Sequence, residues 1–318
     1  MDQLVLDGLN GRLRPAQIAR RLALEQKHEA RMSARRSRLF GLRRWYSPPW
    51  IVRTALRCSG LSDRARKNAE HVEVRHNVVR SERLPRPFDG LVILQISDLH
   101  ADMNPGAMGR LVKLLPTLEF DICVLTGDYR GKIYGPFEAT LDAVARVRAC
   151  LPGPVYGVLG NHDTIHMVNG LEHIGIRMLL NESTVIVRQG QVIYLAGIDD
   201  AHHYGTHDIE KAASGITADA FSILLSHTPE IYRDAVEARF DLLLAGHTHG
   251  GQICLPGSIP VILDADLPRR MGSGAWKYRE MAGYTSVGVG TSIVTARLNC
   301  PPEITLHRLA RVDGAGRP

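Results

Sequence analysis

Asp98-Leu-His100, Gly127-Asp128, Gly160-Asn161-His162-Asp163, His227 and Gly246-His247-Thr248-His249 follow one another along the chain, each just after an apolar run. Together these carboxylates, imidazoles and one side-chain amide supply enough oxygen and nitrogen donors for two metal ions side by side. One histidine is left over for proton transfer. Mixed imidazole and carboxylate ligation suits Mn, Fe, Zn or similar first-row ions better than Ca. Asp98 and His100 stand close enough in sequence to grip the same ion. Gly127 permits a tight turn that brings the Asp128 carboxylate near enough to bridge two ions. Asn161 offers a neutral carbonyl oxygen, which limits the negative charge gathered on the pair. His247 and His249 leave a single turn held open by Gly246, Gly250 and Gly251, and His227 ends another strand.

The elements that must bring these residues together are legible as apolar runs. Leu91–Ile96 is continuous in its hydrophobicity, the mark of a strand buried on both faces. Runs at 122–126, 155–159, 222–225 and 242–245 repeat that signature, and helical stretches lie between them at 107–118, 137–150 and 229–239. Residues 71–79 alternate like a half-exposed strand. Further strands are expected at 176–180, 184–188 and 191–196, the last two joined by Gln189-Gly190, and around 283–289 and 303–309. Helices alternating with strands, then strand pairs in the second half, predict an α/β fold: a four-layer α-β-β-α sandwich of two mixed sheets flanked by helices. Strand ends in such sheets converge on one edge, so residues far apart in sequence can meet there.

Charge divides the 318-residue chain, whose total is +6. Residues 1–86 carry 18 Arg and 2 Lys against 3 Asp and 5 Glu, a net +12, which leaves −6 for the part that holds every motif. The basic excess is therefore a separate element. We expect residues 1–69 to be a basic arm, partly helical or disordered, residues 70–310 to be the domain with the motifs, and 311–318 a short tail. A helix over 15–44 is predicted, with Pro15 at its start and a thin apolar stripe on an arginine-dense face. The segment Trp45-Tyr46-Ser47-Pro48-Pro49-Trp50-Ile51-Val52 sets bulky aromatics beside arginines, as an interfacial contact with anionic membrane requires. A basic arm packed on the domain or left in solvent is the other reading, and nucleic acid a further partner, though no recognition motif supports it.

The five cysteines form no Cys-x-x-Cys pair, which fits a reducing, cytoplasmic setting, on the inner face of the membrane if the arm binds there. The start has no basic region followed by an apolar one, so it does not read as an export signal. Leu242–Leu263 contains no formally charged residue, yet its Gly, Pro and His residues rule out a spanning helix.

The ordered motifs resemble the calcineurin-like metallophosphoesterase family over about residues 70–310. The resemblance implies that Asp98, His100 and His249 hold one metal and that Asn161, His227 and His247 hold the other, with Asp128 bridging them. It further implies that a hydroxide between the metals attacks phosphorus and that His162 protonates the leaving group, with Asp163 orienting or polarising it. Gly288-Val-Gly290-Thr-Ser292, Arg297-Leu-Asn299 and Pro301-Pro302-Glu303-Ile304 resemble a bacterial branch of membrane-associated phosphohydrolases. Some of that branch split UDP-2,3-diacylglucosamine, so a lipid-linked phosphoester is the substrate this likeness favours. A nuclease, a cyclic-nucleotide phosphodiesterase and a metal-binding scaffold without catalysis are the alternatives. Scaffolds of this fold tend to lack the proton-donating histidine, and His162 is present.

Other polar residues carry less. His202 and His203 either line the cleft or sit on a solvated loop. Arg130 is placed for a phosphate or for a surface ion pair. Trp276 and Tyr278 cap the cleft or pack on it. No role is assigned to Arg297.

Overall fold

The computed structural model describes residues 8–9, 11–38 and 48–313. Tyr46 and its neighbours in the aromatic segment, and the last part of the predicted 15–44 helix, lie outside the described residues. In the first half, Glu73–Ser81 (β1), Val92–Ile96 (β2), Ile122–Leu125 (β3), Val155–Gly157 (β4) and Arg177–Met178 (β5) are the strands. Glu182–Arg188 (β6), Gln191–Gly197 (β7), Ser222–Leu225 (β8) and Leu242–Ala245 (β9) follow. Next come a small hairpin, Cys254–Leu255 (β10) with Ile259–Pro260 (β11), then Gly274–Tyr278 (β12) and Met281–Thr285 (β13). Glu303–Arg311 (β14) returns to the first sheet between β1 and β2. The two large sheets run β1-β14-β2-β3-β4-β5 and β12-β13-β9-β8-β7-β6, each mixing parallel and antiparallel pairs.

Alternation along each strand sorts side chains into layers, because successive residues face opposite sides of a sheet. Ile93 and Val124 of the first sheet meet Leu195, Ile223, Leu225 and Leu244 of the second in a core between the sheets. Their neighbours Leu94, Cys123 and Leu125 face outward instead. They pack under Leu111 of helix Pro105–Leu114, Val144 of Glu138–Arg148 and Leu171 of Val168–His173. On the far side, Leu224 and Leu243 pack under Ala212 of Ile209–Ala213 and Ala235 of Tyr232–Glu237. The architecture is the four-layer α-β-β-α sandwich. Each of the buried Leu, Ile and Val side chains among these contributes roughly 1.5–3 kcal/mol of burial. Trp276 lies in the outer layer of the second sheet, its Nε1 donating to Thr285 Oγ1 at 2.9 Å, so it packs there instead of capping a cleft.

Local chemistry sets the turns. Gln189 and Gly190 both take positive φ (50° and 75°), the two-residue hairpin turn that joins β6 to β7. Asn104 caps the helix Pro105–Leu114 by accepting from Ala107 N, with Pro105 in the first turn where its missing N–H costs nothing. The first described helix is Pro15–Arg38, which we label α1. Leu13 and Ile18 enter the same outer core as Leu94 and Leu125, so this helix lies against the first sheet. Pro48–Cys58 forms α2, with Leu56 buried against Val294 and Ala296. Among the described residues no helix is long and apolar enough to cross a membrane.

Candidate metal centre

Strand register aligns the motifs. Ile96 pairs with Leu125 and Leu125 with Gly157, so the residues just past β2, β3 and β4 emerge side by side. In the second sheet Leu225 pairs with Leu244 and Ala245 with Thr285, which does the same for the residues past β8, β9 and β13. The two rows face each other at one edge of the sandwich. Gln95 ties them, donating to Thr126 Oγ1 at 3.1 Å in its own sheet and to the Ala245 carbonyl at 2.9 Å in the other.

The turns that follow are unusually tight. Asp98, His100, Asp128, His247 and His249 all adopt positive φ, between 39° and 71°, a region that side chains other than glycine occupy at a cost of about 1–3 kcal/mol each. Such strain persists only where the surroundings enforce it. Two glycines show how crowded they are: a Cβ on Gly246 would lie 1.9 Å from Ser97 Oγ, and one on Gly160 would lie 2.2 Å from Asp128 Oδ1.

The sequence-predicted residues converge. His100 Nε2 and His249 Nε2 are 3.1 Å apart, and His249 Nε2 lies 3.6 Å from Asp98 Oδ1. Asn161 Oδ1 stands 2.9 Å from His227 Nε2 and 3.0 Å from His247 Nδ1. Between these two groups, Asp128 Oδ2 is 3.4 Å from His227 Nε2 and 3.6 Å from His100 Nε2. His162 Nε2 is 3.9 Å from the same oxygen, and its Nδ1 donates to the Gly131 carbonyl at 2.7 Å. A carbonyl can only accept, so that contact fixes a proton on Nδ1 and leaves Nε2 to face the cleft.

Burial and charge together set the electrostatics of the cluster. Burial pushes Asp98 up to about 6 and His100 and His247 down to about 4 and 3. Burial would also raise Asp128, but His227, His162 and His100 outweigh it and hold the carboxyl well below its usual range. Burial would lower His227, yet the charge of Asp128 and its hydrogen bond raise it to about 10. The imidazolium of His227 thus supplies positive charge to a pocket of buried carboxylates. His247 Nε2 is buried with no hydrogen-bond partner. Asp98, His100 and His249, and likewise Asp98, Asp128 and His227, each offer ligand atoms within 4.8 Å of one another. Frustrated charge and a hard-and-borderline donor set both fit divalent first-row ions, with His247 turning Nδ1 toward Asn161 and His227.

Asp163 differs from expectation. Its carboxylate accepts from the backbone N–H groups of Asp128 (2.8 Å), Tyr129 (2.9 Å) and Gly160 (2.8 Å), and more weakly from Arg130 (3.3 Å). It therefore pins two ligand loops together, while the His162 ring is oriented by Gly131 instead. Arg130 likewise turns from the cleft, donating to the carbonyls of His162, Ile133 and Gly135. His202 does stand at the site: its ring lies 4.2 Å from that of His247, with Nδ1 held 2.7 Å from Glu230 Oε2.

Two buried arginines brace the arrangement and carry no sequence signal beyond their type. Arg297 donates to the His249 carbonyl at 3.0 Å, to His249 Nδ1 at 3.1 Å and to the Gly290 carbonyl at 2.6 Å. Arg21 of α1 pairs with Asp199 and Glu25, donates to the Asp163 carbonyl at 2.9 Å and stacks 4.1 Å over Tyr204. A cavity of about 240 Å³ opens beside the cluster. Its lining joins Asp128, Asn161, His162, His247 and His249 to Val52, Ile253, Val261, Ile262, Ile293 and Val294, with Thr248, Gln252, Asp264 and Ser292 among them.

This fold and donor set define a metallophosphoesterase. The chain belongs to the calcineurin-like phosphoesterase family, whose model matches residues 91–251, and is a hydrolase of that family. It is 29% identical to the Bacillus subtilis protein named "Uncharacterized metallophosphoesterase YkoQ", over 77% of this chain and 93% of that one. It is 28% identical to Escherichia coli "Phosphodiesterase YaeI", over 74% and 87% of the two chains. A Bos taurus "Transmembrane protein with metallophosphoesterase domain" is 31% identical over 80% of this chain, a match that spans only 60% of the bovine protein. Among solved structures, the Bacillus subtilis calcineurin-like phosphoesterase YfkN aligns at 13% identity and a TM-score of 0.40, covering 64% of this chain and 82% of that one.

Proposed function

We propose that residues 70–310 hydrolyse a phosphodiester or phosphoanhydride bond, with Asp98, His100 and His249 holding one ion and Asn161, His227 and His247 the other around Asp128. Bound there, divalent ions supply Lewis acidity toward the phosphoryl group and lower the pKa of the attacking water. The remaining chemistry falls to the chain. His162 Nδ1–H is committed to Gly131, so Nε2 is the atom that faces the cleft, and in the imidazolium form it gives its proton to the departing oxygen. That single geometry carries the catalytic reading over a scaffold. Asp128 holds the His162 backbone N–H at 2.9 Å, so the proton donor and the bridging carboxylate move as one unit. Arg297 and Asp163 position ligand loops without touching substrate.

The apolar wall of the cleft supports a substrate with a hydrocarbon portion next to its phosphate, such as a lipid-linked pyrophosphate of the UDP-2,3-diacylglucosamine type. Polar nucleic acid or a cyclic nucleotide would leave Val52, Ile262, Ile293 and Val294 unused. Purified full-length protein loaded with Mn²⁺, Fe²⁺ or Zn²⁺ should release nitrophenol from bis-p-nitrophenyl phosphate. In a panel of UDP-2,3-diacylglucosamine, phospholipids, cyclic nucleotides and oligonucleotides, the amphiphilic compounds should give the highest kcat/KM. Preference for an oligonucleotide would overturn the substrate reading, and no turnover with any metal would return the chain to the scaffold class. Asp128→Ala should lose both ions by elemental analysis.

A further inference from the structure

Among the described residues, one group of exposed large apolar side chains lies on the segments that line the cleft, apart from Val185, Val187 and Val192 on β6 and β7. Leu255, Ile259, Val261, Ile262 and Ile293 are all exposed, Ile262 by 71% and Leu255 by 55%. Leu255 and Ile259 are a cross-strand pair in the β10–β11 hairpin, so their side chains lie on one face. From Leu255 to Ile262 the chain has no ionisable side chain. The hairpin is also held firmly. Asn299 donates to the Cys254 carbonyl at 2.9 Å, Ser258 donates to the Asn299 carbonyl at 3.1 Å, and Gly251, two residues past His249, packs under Pro260.

We propose that this rim is an interfacial docking surface that seats the cleft on an anionic phospholipid bilayer. Three features favour lipid over a protein partner. The apolar tip is small and projects on a hairpin, suited to enter between headgroups without needing a complementary surface. Cations are carried on the helix that reaches the cleft: α2, whose Val52 lines it, contains Arg53 and Arg57, both exposed and four residues apart on one helical face, and no acidic residue. Asp264 is the one carboxylate beside Ile262 in the cleft lining. The rim is continuous with the cleft, since Val261, Ile262 and Ile293 belong to both, and Val52 of the same α2 lines the cleft. A lipid-linked phosphoester could pass from bilayer to cleft along Val261, Ile262 and Ile293. That use of the surface rests on the function proposed above; the surface itself does not.

Full-length protein should float with vesicles of equal parts phosphatidylcholine and phosphatidylglycerol, and far less with phosphatidylcholine alone. The double variant Leu255→Glu/Ile259→Glu should lower the bound fraction about tenfold or more, since two aliphatic contacts are lost and two charges repel the headgroups. Neither residue borders the catalytic cluster, so hydrolysis of soluble bis-p-nitrophenyl phosphate and the melting temperature should stay at native values. Flotation of the variant equal to native would overturn the proposal, as would failure of the native chain to float. A native dimer in sedimentation that the variant dissociates would assign the face to a second copy instead. If vesicle binding depends on the hairpin while no phosphoester is hydrolysed, the docking surface stands and the phosphoesterase reading falls.

Discussion

Arg297 grips His249 at two points, donating to its carbonyl at 3.0 Å and to its Nδ1 at 3.1 Å. A guanidinium has no acceptor, so Nδ1 must present its lone pair, and the ring proton of neutral His249 sits on Nε2. That atom faces His100 Nε2 at 3.1 Å, whose own proton is fixed on Nδ1 by the Arg130 carbonyl at 2.9 Å. The buried cation therefore sets the tautomer of His249, and the Arg130 carbonyl sets that of His100. Arg297→Met would strand several carbonyls and release the His249 turn. We expect a stability loss of roughly 3 kcal/mol or more in denaturant unfolding, together with loss of one of the two ions. Arg297→Lys cannot reproduce the fork and should rescue little. A fully metallated, fully stable Arg297→Met protein would contradict this reading.

His162→Ala tests proton donation. Turnover should fall by about 10²–10⁴-fold, while elemental analysis still finds both ions, since this side chain is spare to the two ligand sets. The loss should be smaller on substrates whose leaving group is a good one, such as a nitrophenolate. Unchanged turnover on a poor leaving group would sink the assignment.

His227 predicts the pH dependence of metal loading. Burial opposes its charge, but Asp128 raises it from 6.5 to about 10 in the metal-free chain. The resulting stabilisation is fully present below about 6.5 and is lost as pH rises through about 10. An ion on Nε2 must displace that proton, so loading near neutral pH should release about one proton per chain from this residue. Apparent affinity should rise with pH up to that range. Calorimetric titration in two buffers of different ionisation enthalpy counts the protons, and no release would show that His227 is neutral beforehand.

Arg21 predicts that α1 contributes to the stability of the domain. Its side chain is fully buried, paired with Asp199 and Glu25 and bonded to the Asp163 carbonyl. Arg21→Met leaves Asp199 buried without its partner, which should cost about 3–5 kcal/mol. Adding Asp199→Asn should recover part of the loss. A change below about 1 kcal/mol in the single variant would place the helix outside the cooperative unit.

How much of this was legible depended on what each residue answers to. Leu94 beside Ile93, or Leu224 beside Ile223, reads as a strand buried on both faces, because both neighbours are apolar and both faces are covered. The cluster was equally open to reading, since each ligand candidate directly follows such a strand. Asp163 was misread because its partners are backbone N–H groups, which leave no trace in residue types. Arg21 was hidden among the other arginines of α1; only the docking of the helix decides which one is buried. Pro48 and Pro49 fit the first turn of α2, where N–H groups have no helical partner anyway. The β10–β11 hairpin was missed because its strands are two residues long and carry no periodicity.

Both proposed ligand sets draw on both sheets: Asp98 and His100 meet His249 across the seam, and Asn161 meets His227 and His247. Ions held there would act as rivets between two halves of the sandwich. Folding and loading then become one equilibrium, with about 2.7 kcal/mol of added stability when free ion stands at a hundred times its dissociation constant. A cell that withholds the metal would silence the enzyme and loosen its fold in the same step.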